Sequence, residues 1–168
     1  VVAQNKGMDP LVFQGVAKGG EHGISYDFPN LMIDHAKRNT HVPPGFWRGV
    51  NINQNAVFME CFIDELAEYA GVDPVEFRRK YSANYPRNLA VLNAVADRIG
   101  WTKPAPAGVF RGIAQQKSFG SFVAAACELS VTDGNKIKIH RIVAATDPGY
   151  AVNPAQIERQ VSGSFVYG

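Results

Sequence analysis

The stretch VAAACELSVTDGNKIKIHRIV, residues 123–143, decides the fold class. Val123, Ala125, Cys127, Leu129 and Val131 share one face of a strand, the two-residue period of a pleated chain. Ile137, Ile139, Ile142 and Val143 mark a second strand, with Lys136, Lys138 and His140 alternating outward over its first half. Thr132-Asp133-Gly134-Asn135 between them is hairpin chemistry, because Gly and Asn accept positive φ at little cost.

Upstream the period is helical. From Gln54 to Ala70, Phe58, Phe62, Leu66 and Tyr69 recur on one side with Cys61 beside them. Asp64, Glu65 and Glu68 fill the other side, and Gly71 is the natural stop. Asp73-Pro74-Val75-Glu76 opens a second helix with an N-cap, a proline at the first position and a glutamate at the third. It carries Phe77 and Tyr81 on one face. A third helix runs from about Pro86 to Ile99 on Leu89, Leu92, Ala96 and Ile99, and ends at Gly100. Residues 103–108 are a linker or turn.

Downstream of the hairpin, Asn153-Pro154 caps a last helix with Ile157, Val161, Ser164 and Phe165 at helical spacing. Before the helices, short extended candidates lie around Ile24–Phe28 and Leu31–Lys37, punctuated by Pro29, Pro43 and Pro44. Residues 1–23, with Gly15, Gly19, Gly20 and Gly23, read as a loop or the remnant of a preceding segment, which leaves 24–168 as the domain. Short strands, a helical middle section, then a β-hairpin and a C-terminal helix make an α+β fold.

Composition excludes several function classes. Seventeen Lys+Arg against 15 Asp+Glu leave a net charge of +2, too little for a global field that attracts nucleic acid or an anionic membrane. Arg78-Arg79-Lys80 follows an acidic stretch and reads as a solvated helix face. No apolar run reaches the ~18 residues of a membrane span. Cys61 and Cys127 sit among apolar neighbours and are expected as buried free thiols, with a disulfide between them left open. His22, His35, His41 and His140 are scattered without metal-ligand spacing, and neither a nucleophile elbow nor a phosphate loop is present. Asp64 and Glu65, adjacent on a helix, point about 100° apart and do not face each other as an acid–base pair. The sequence therefore nominates no catalytic residue and no metal ligand of its own.

Two segments do not fit a bland scaffold. Residues 42–55, VPPGFWRGVNINQN, place two prolines, two adjacent aromatics, an arginine, two glycines and four amide side chains just before a helix. Glycines admit close backbone approach, a helix start offers N–H donors to an anion, and arginine holds an oxoanion bidentately. The alternative is a loop that only caps the helix, with Trp47 packed on the core. Residues 147–154, DPGYAVNP, lead through a tight turn into a capped helix whose Gln160 offers amide donor and acceptor groups to a heterocycle.

Together these segments resemble the molybdenum-binding large subunit of the xanthine oxidase family, on the branch of isoquinoline 1-oxidoreductase beta subunits and their aldehyde-oxidising relatives. The residues that carry the likeness are Gly45-Phe46-Trp47-Arg48-Gly49, Asn53-Gln54-Asn55-Ala56, residues 60–67 (ECFIDELA) and residues 73–79 (DPVEFRR). They continue, in the family's order, with Arg111-Gly112-Ile113-Ala114, Ser118-Phe119-Gly120-Ser121, Asp147-Pro148-Gly149, Val152-Asn153-Pro154, Gln160 and Gly163.

The resemblance implies a molybdopterin cytosine dinucleotide carrying molybdenum, water-derived hydroxylation of an N-heterocycle or aldehyde, and electron transfer to a small iron–sulfur subunit or domain. It places Arg48 and Gly49 on a loop bordering the molybdenum, Phe46 and Trp47 near the substrate channel, and Gln160 near the pterin. Pro148 stands where the relatives usually have a small residue or cysteine, and Ser162 replaces a usual glutamate. The expected glutamate base falls beyond Gly168. A start at Val1 and an end in the apolar run 164–168 lead to the expectation of a piece of a longer bacterial subunit, inactive in isolation and prone to self-association through Ile157, Val161 and Phe165. The compartment, cytoplasm or periplasm, stays open. The alternative reading is a non-catalytic interaction or assembly domain with the same fold.

Overall fold

The computed structural model describes residues 14–16, 23–34, 36, 41–43, 45 and 47–167. Among them run helices α1 (Ile52–Tyr69), α2 (Pro74–Tyr81) and α3 (Pro86–Ile99), strands β1 (Phe110–Ser118), β2 (Ser121–Thr132) and β3 (Lys136–Asp147), and helix α4 (Pro154–Tyr167). The strands form one antiparallel sheet in the order β1-β2-β3. The α+β layout is as the sequence implies.

The caps act as their chemistry predicts. Asp73 Oδ1 accepts the N–H groups of Val75 (2.9 Å) and Glu76 (3.1 Å), and Pro74 takes the first helical position of α2. Asp73 Oδ2 accepts Trp101 Nε1 at 2.8 Å, which ties the start of α2 to the chain leaving α3. α3 stops at Gly100, whose φ of +76° is the left-handed conformation that glycine adopts without a Cβ clash.

The main core lies between α3 and one face of the sheet. Val91, Leu92, Val95, Ala96 and Ile99 pack on Ile113, Phe122, Ala124 and Ala126, with Val75 from α2 alongside. A second cluster gathers Ile24, Tyr26, Ile63, Ala67 and Phe77.

Several expectations are corrected. Val123, Ala125, Cys127, Leu129 and Val131 do share one face of β2, but the core side is the other, with Phe122, Ala124 and Ala126, and Val123 is exposed. Both faces of β2 are apolar, so alternation alone picks the bulkier one; α3 supplies the bulk and needs the small alanines to come close. On α1 the buried residues are Ile52, Glu60, Ile63 and Ala67, while Phe58 (67% exposed), Phe62 (53%) and Tyr69 (93%) face outward. That helix has two apolar stripes, and the one pinned by a buried ion pair is the one that packs.

Residues 24–28 form no strand beyond a single bridge at Ile24, and residues 31–34 and 36 form none. The segment spends its hydrogen bonds on the end of α2: Asp27 N–H donates to Tyr81 O, and Ser82 Oγ to Ser25 O, both at 2.7 Å. β1 is a strand that the apolar pattern does not announce; it pairs with β2 through Phe119-Gly120, both at positive φ. In the β2–β3 turn the positive φ falls on Asp133 and Gly134, not on Asn135. Cys61 is exposed and Cys127 half-buried, and both are free thiols, against the expectation of burial. Arg78, expected in a solvated run, is fully buried.

Candidate functional site

The arginine segment builds a tight turn at the mouth of α1. Val50 N–H donates to Trp47 O and Ile52 N–H to Gly49 O, each at 2.9 Å. Gly49 sits at φ +77° and Val50 at φ +53°. A β-branched residue in that region is strained, and such strain persists only where surroundings over-determine it. Asn53 provides the constraint: its Nδ2 donates to Arg48 O, and a Cβ on Gly49 would collide with its amide. Gly49 is thus required twice, by φ and by contact.

The turn leaves its side chains outside. Trp47 is 74% exposed, so the alternative in which it packs on the core does not hold. Asn51, at the N-cap, makes no side-chain capping bond. The Arg48 guanidinium carbon lies 5.8 Å from the centroid of the Tyr167 ring, at the far end of α4. Gln160 is exposed on α4. It lies seven residues before Tyr167, on the same helix face and roughly 10 Å along the axis. The fold therefore brings the Arg48 turn to the helix that carries Gln160. Phe46 lies outside the described residues.

α4 is launched by a fixed corner. Arg87 on α3 clamps the Asp147 carboxylate through Nε and Nη2, both at 2.7 Å, and Gly149 N–H donates to Asp147 Oδ1 at 2.9 Å. The Arg87 bonds, helped by the Gly149 N–H, hold the Asp147 carboxyl down at a pKa of about 2. Asn153 Oδ1 then accepts Gln156 N–H at 3.2 Å, capping the helix. α4 itself has no buried residue. An open groove of about 430 Å³ runs between α1, the uncovered sheet face and α4, lined by Val57, Cys61, Ala114, Val123, Ala125 and Phe165 among others. A neighbouring hollow of about 610 Å³ lies between β3, the 148–151 turn and Ile157, Val161 and Phe165 of α4.

Beside the groove sits a polar cluster that sequence reasoning missed. Glu60 accepts Tyr26 Oη (2.7 Å), Arg78 Nε (3.0 Å) and the backbone N–H of Gln115 (2.9 Å). Arg78 also donates to Asp64 Oδ1 (2.6 Å) and to the carbonyls of Pro74 and Glu60 (3.2 Å each). Burial pushes the Glu60 carboxyl up against the pull of Arg78, and pushes the Tyr26 phenol up as well. The cluster joins α1, α2, β1 and the segment before α1. A signal for it lies in the spacing: Val75, Arg78 and Ser82 fall at i, i+3 and i+7, one buried side of α2 and its C-cap.

Among the described residues no group of three or more His, Cys, Asp or Glu side chains is placed to hold a metal ion, and no helix is long and apolar enough to cross a membrane. The donors present are a guanidinium, amides and backbone N–H groups. They suit the polar edge of a large anionic cofactor that brings its own metal ligands.

Comparison with known proteins points the same way. The family of molybdopterin cofactor-binding domains matches residues 3–82, a span that includes the Arg48 turn, α1 and α2. The chain is similar to the beta subunit of isoquinoline 1-oxidoreductase from Brevundimonas diminuta, at 27% identity over 86% of this chain and 19% of that protein. It is similar to a nicotinate dehydrogenase subunit from Pseudomonas putida, at 30% identity over 84% of this chain and 13% of that protein. It also matches, at 22% identity over 97% of this chain and 24% of that protein, a membrane-bound aldehyde dehydrogenase (pyrroloquinoline-quinone) of Gluconacetobacter polyoxogenes. The chain thus spans between 13% and 24% of the length of these curated relatives. No solved structure matches it.

Proposed function

We propose that this chain, a relative of the molybdopterin-binding large subunits of the xanthine oxidase family, forms one wall of the cofactor site of a molybdenum hydroxylase. The observation that carries the proposal is the strained, Asn53-braced turn that presents Arg48 beside α4. Arg48 binds an anionic oxygen of the molybdenum–pterin group, Gly49 lets backbone approach it, and Gln160 hydrogen-bonds the pterin ring. Trp47, with Phe46 beside it in sequence, borders the substrate path and excludes water. When bound, the group supplies two-electron oxidation with oxygen derived from water. We assign it as the cytosine dinucleotide form, on the resemblance carried by the Arg48 and Gln160 segments.

The substrate is an N-heterocycle or an aldehyde, as the names of the relatives suggest for those proteins. The partner is a small iron–sulfur subunit that takes up the electrons. On this reading the 168-residue chain alone is inactive and holds the cofactor weakly.

Molybdenum and pterin content test this. The complete polypeptide carrying this segment, made in cells that synthesise the cofactor, should hold near one molybdenum per chain. Arg48→Ala should lower that content together with the released pterin fluorescence. Full metal content in Arg48→Ala would refute the assignment. The second reading, an assembly domain without catalysis, draws on the exposed Phe58 and Phe62 of α1; it predicts no cofactor in the complete polypeptide at all.

A further inference from the structure

The two edges of the sheet are treated differently. On the β1 edge the backbone N–H of Gln115 is taken by the Glu60 carboxylate at 2.9 Å, and α1 lies alongside. That edge is blocked. β3 is the other edge, and its residues 136–142 are exposed on both faces. Among the described residues no backbone group hydrogen-bonds to its outer side beyond the sheet.

The two faces of this free edge differ in chemistry. Ile137 (68% exposed), Ile139 (58%) and Ile142 lie opposite Val131, Leu129 and Cys127, so they share one face. Lys136, Lys138 and Arg141 lie opposite Thr132, Ser130 and Glu128 on the other face, with a bulge at His140 keeping the alternation in phase. The charges facing this strip are few. Asp133 pairs with Lys136 at 3.2 Å, Glu128 is taken by Arg111 at 2.8 Å, His140 bonds Ser130, and Arg141 donates to the Arg98 carbonyl. Lys138 and Arg141 have no carboxylate partner among the described residues.

We propose that the β3 edge is a docking site for an extended segment of a partner polypeptide with alternating acidic and apolar residues, which adds as a fourth strand. Main-chain hydrogen bonds to β3 supply affinity. Acidic side chains then lie beside Lys136, Lys138 and Arg141, and apolar ones beside Ile137, Ile139 and Ile142. A second copy of this chain is a poor occupant. Two antiparallel β3 strands paired about residues 139 and 140 would set Lys138 against Arg141 across the join, and like charges opposite each other repel.

The probe is an acetylated, amidated octapeptide of alternating valine and glutamate, fluorescein-labelled and titrated against the full chain by anisotropy. Saturable binding is expected, weakening as salt screens the charges. Lys136→Glu with Lys138→Glu, both on exposed positions, should weaken it by about tenfold or more with an unchanged far-ultraviolet spectrum. N-methylation of every second residue of the peptide along its pairing edge should abolish it, because the donors are gone. Octaglutamate binding as tightly would reduce the effect to charge alone and overturn the proposal. So would retained binding of the N-methylated peptide, no saturable binding, or sedimentation showing that the edge is covered by a dimer the lysine substitutions leave intact.

Discussion

The sheet has two apolar faces, and only one of them is closed. The face with Ile113, Phe122, Ala124 and Ala126 meets α3 and is buried. The face with Ala114, Val123, Ala125 and Cys127 looks across an open groove at α4, none of whose residues is buried. The first is stabilised by dense contact and by the polar clamps at its margins. The second leaves Val123 and Ala125 open towards α4, the helix whose Tyr167 the Arg48 turn approaches. The two faces of one short sheet thus differ in how much they hold the fold together, and substitutions can test the difference.

The largest effect is expected where a charge is buried under the closed half. Arg78→Met leaves Glu60 buried without its cation, and breaking such a pair destabilises by roughly 3–5 kcal/mol. Chemical denaturation of the chain should show that loss, and adding Glu60→Gln to Arg78→Met should recover part of it, since the uncompensated charge is gone. If Arg78→Met changed stability by less than a surface substitution does, the cluster would not be what holds α1, α2 and β1 together.

Leu92→Ala comes next. Leu92 is fully buried against the sheet, and truncation there costs about 2–5 kcal/mol through lost transfer energy and a cavity. Val123→Ala, on the open face of β2, should cost under about 1 kcal/mol by the same denaturation. Equal losses at the two sites would erase the distinction between the faces.

These pairs mark what can be read from sequence and what cannot. Asp73-Pro74, Gly100 and Asn153-Pro154 are legible because caps and left-handed turns are decided within a few residues, and the family likeness because its motifs keep their order. The stripe of α1 that packs is not. Phe58 and Phe62 outrank Glu60 on any scale of hydrophobicity; Glu60 goes inside only because Arg78, eighteen residues later, and Gln115, fifty-five residues later, come to meet it. β1 is hidden for a related reason: Gln115 and Gln116 break its apolar alternation, and it is a strand because β2 pairs with it. At the candidate site, Arg48 and Gln160 are visible as types. Arg48 meets Tyr167, on the helix that carries Gln160, far along the chain, and the corner before that helix is itself a contact across sixty residues.

That corner gives a smaller, pH-dependent effect. The Asp147 carboxyl has a folded pKa of about 2, below the ordinary ~3.9 of an unfolded aspartate. A depressed pKa means that the ionised form is favoured by folding, so its contribution is complete above about pH 4 and is lost as pH falls towards 2. The difference in unfolding midpoint between the chain and Asp147→Asn should therefore be constant near neutrality and shrink to nothing at the acid end. The pair is partly exposed, so the plateau is small. A difference that grew with acid would mean that Asp147 is not held ionised by Arg87.

The smallest change in stability is expected at the most conspicuous side chains. Phe58 and Phe62 project from α1 into solvent at 67% and 53% exposure, so replacing both with serine removes little buried area. The unfolding free energy should move by no more than about 0.5 kcal/mol per site. Their exposure has another consequence. With Tyr69 they make an apolar stripe along the outer side of α1, and such a surface drives association at working concentrations. Sedimentation should therefore show self-association of the chain that Phe58→Ser with Phe62→Ser reduces, while Leu92→Ala, which weakens the fold, increases it. If the serine pair destabilised the fold as much as Leu92→Ala, α1 would pack through the stripe that its spacing first suggested, and the closed half of the molecule would have to be redrawn around phenylalanine instead of the Glu60–Arg78 pair.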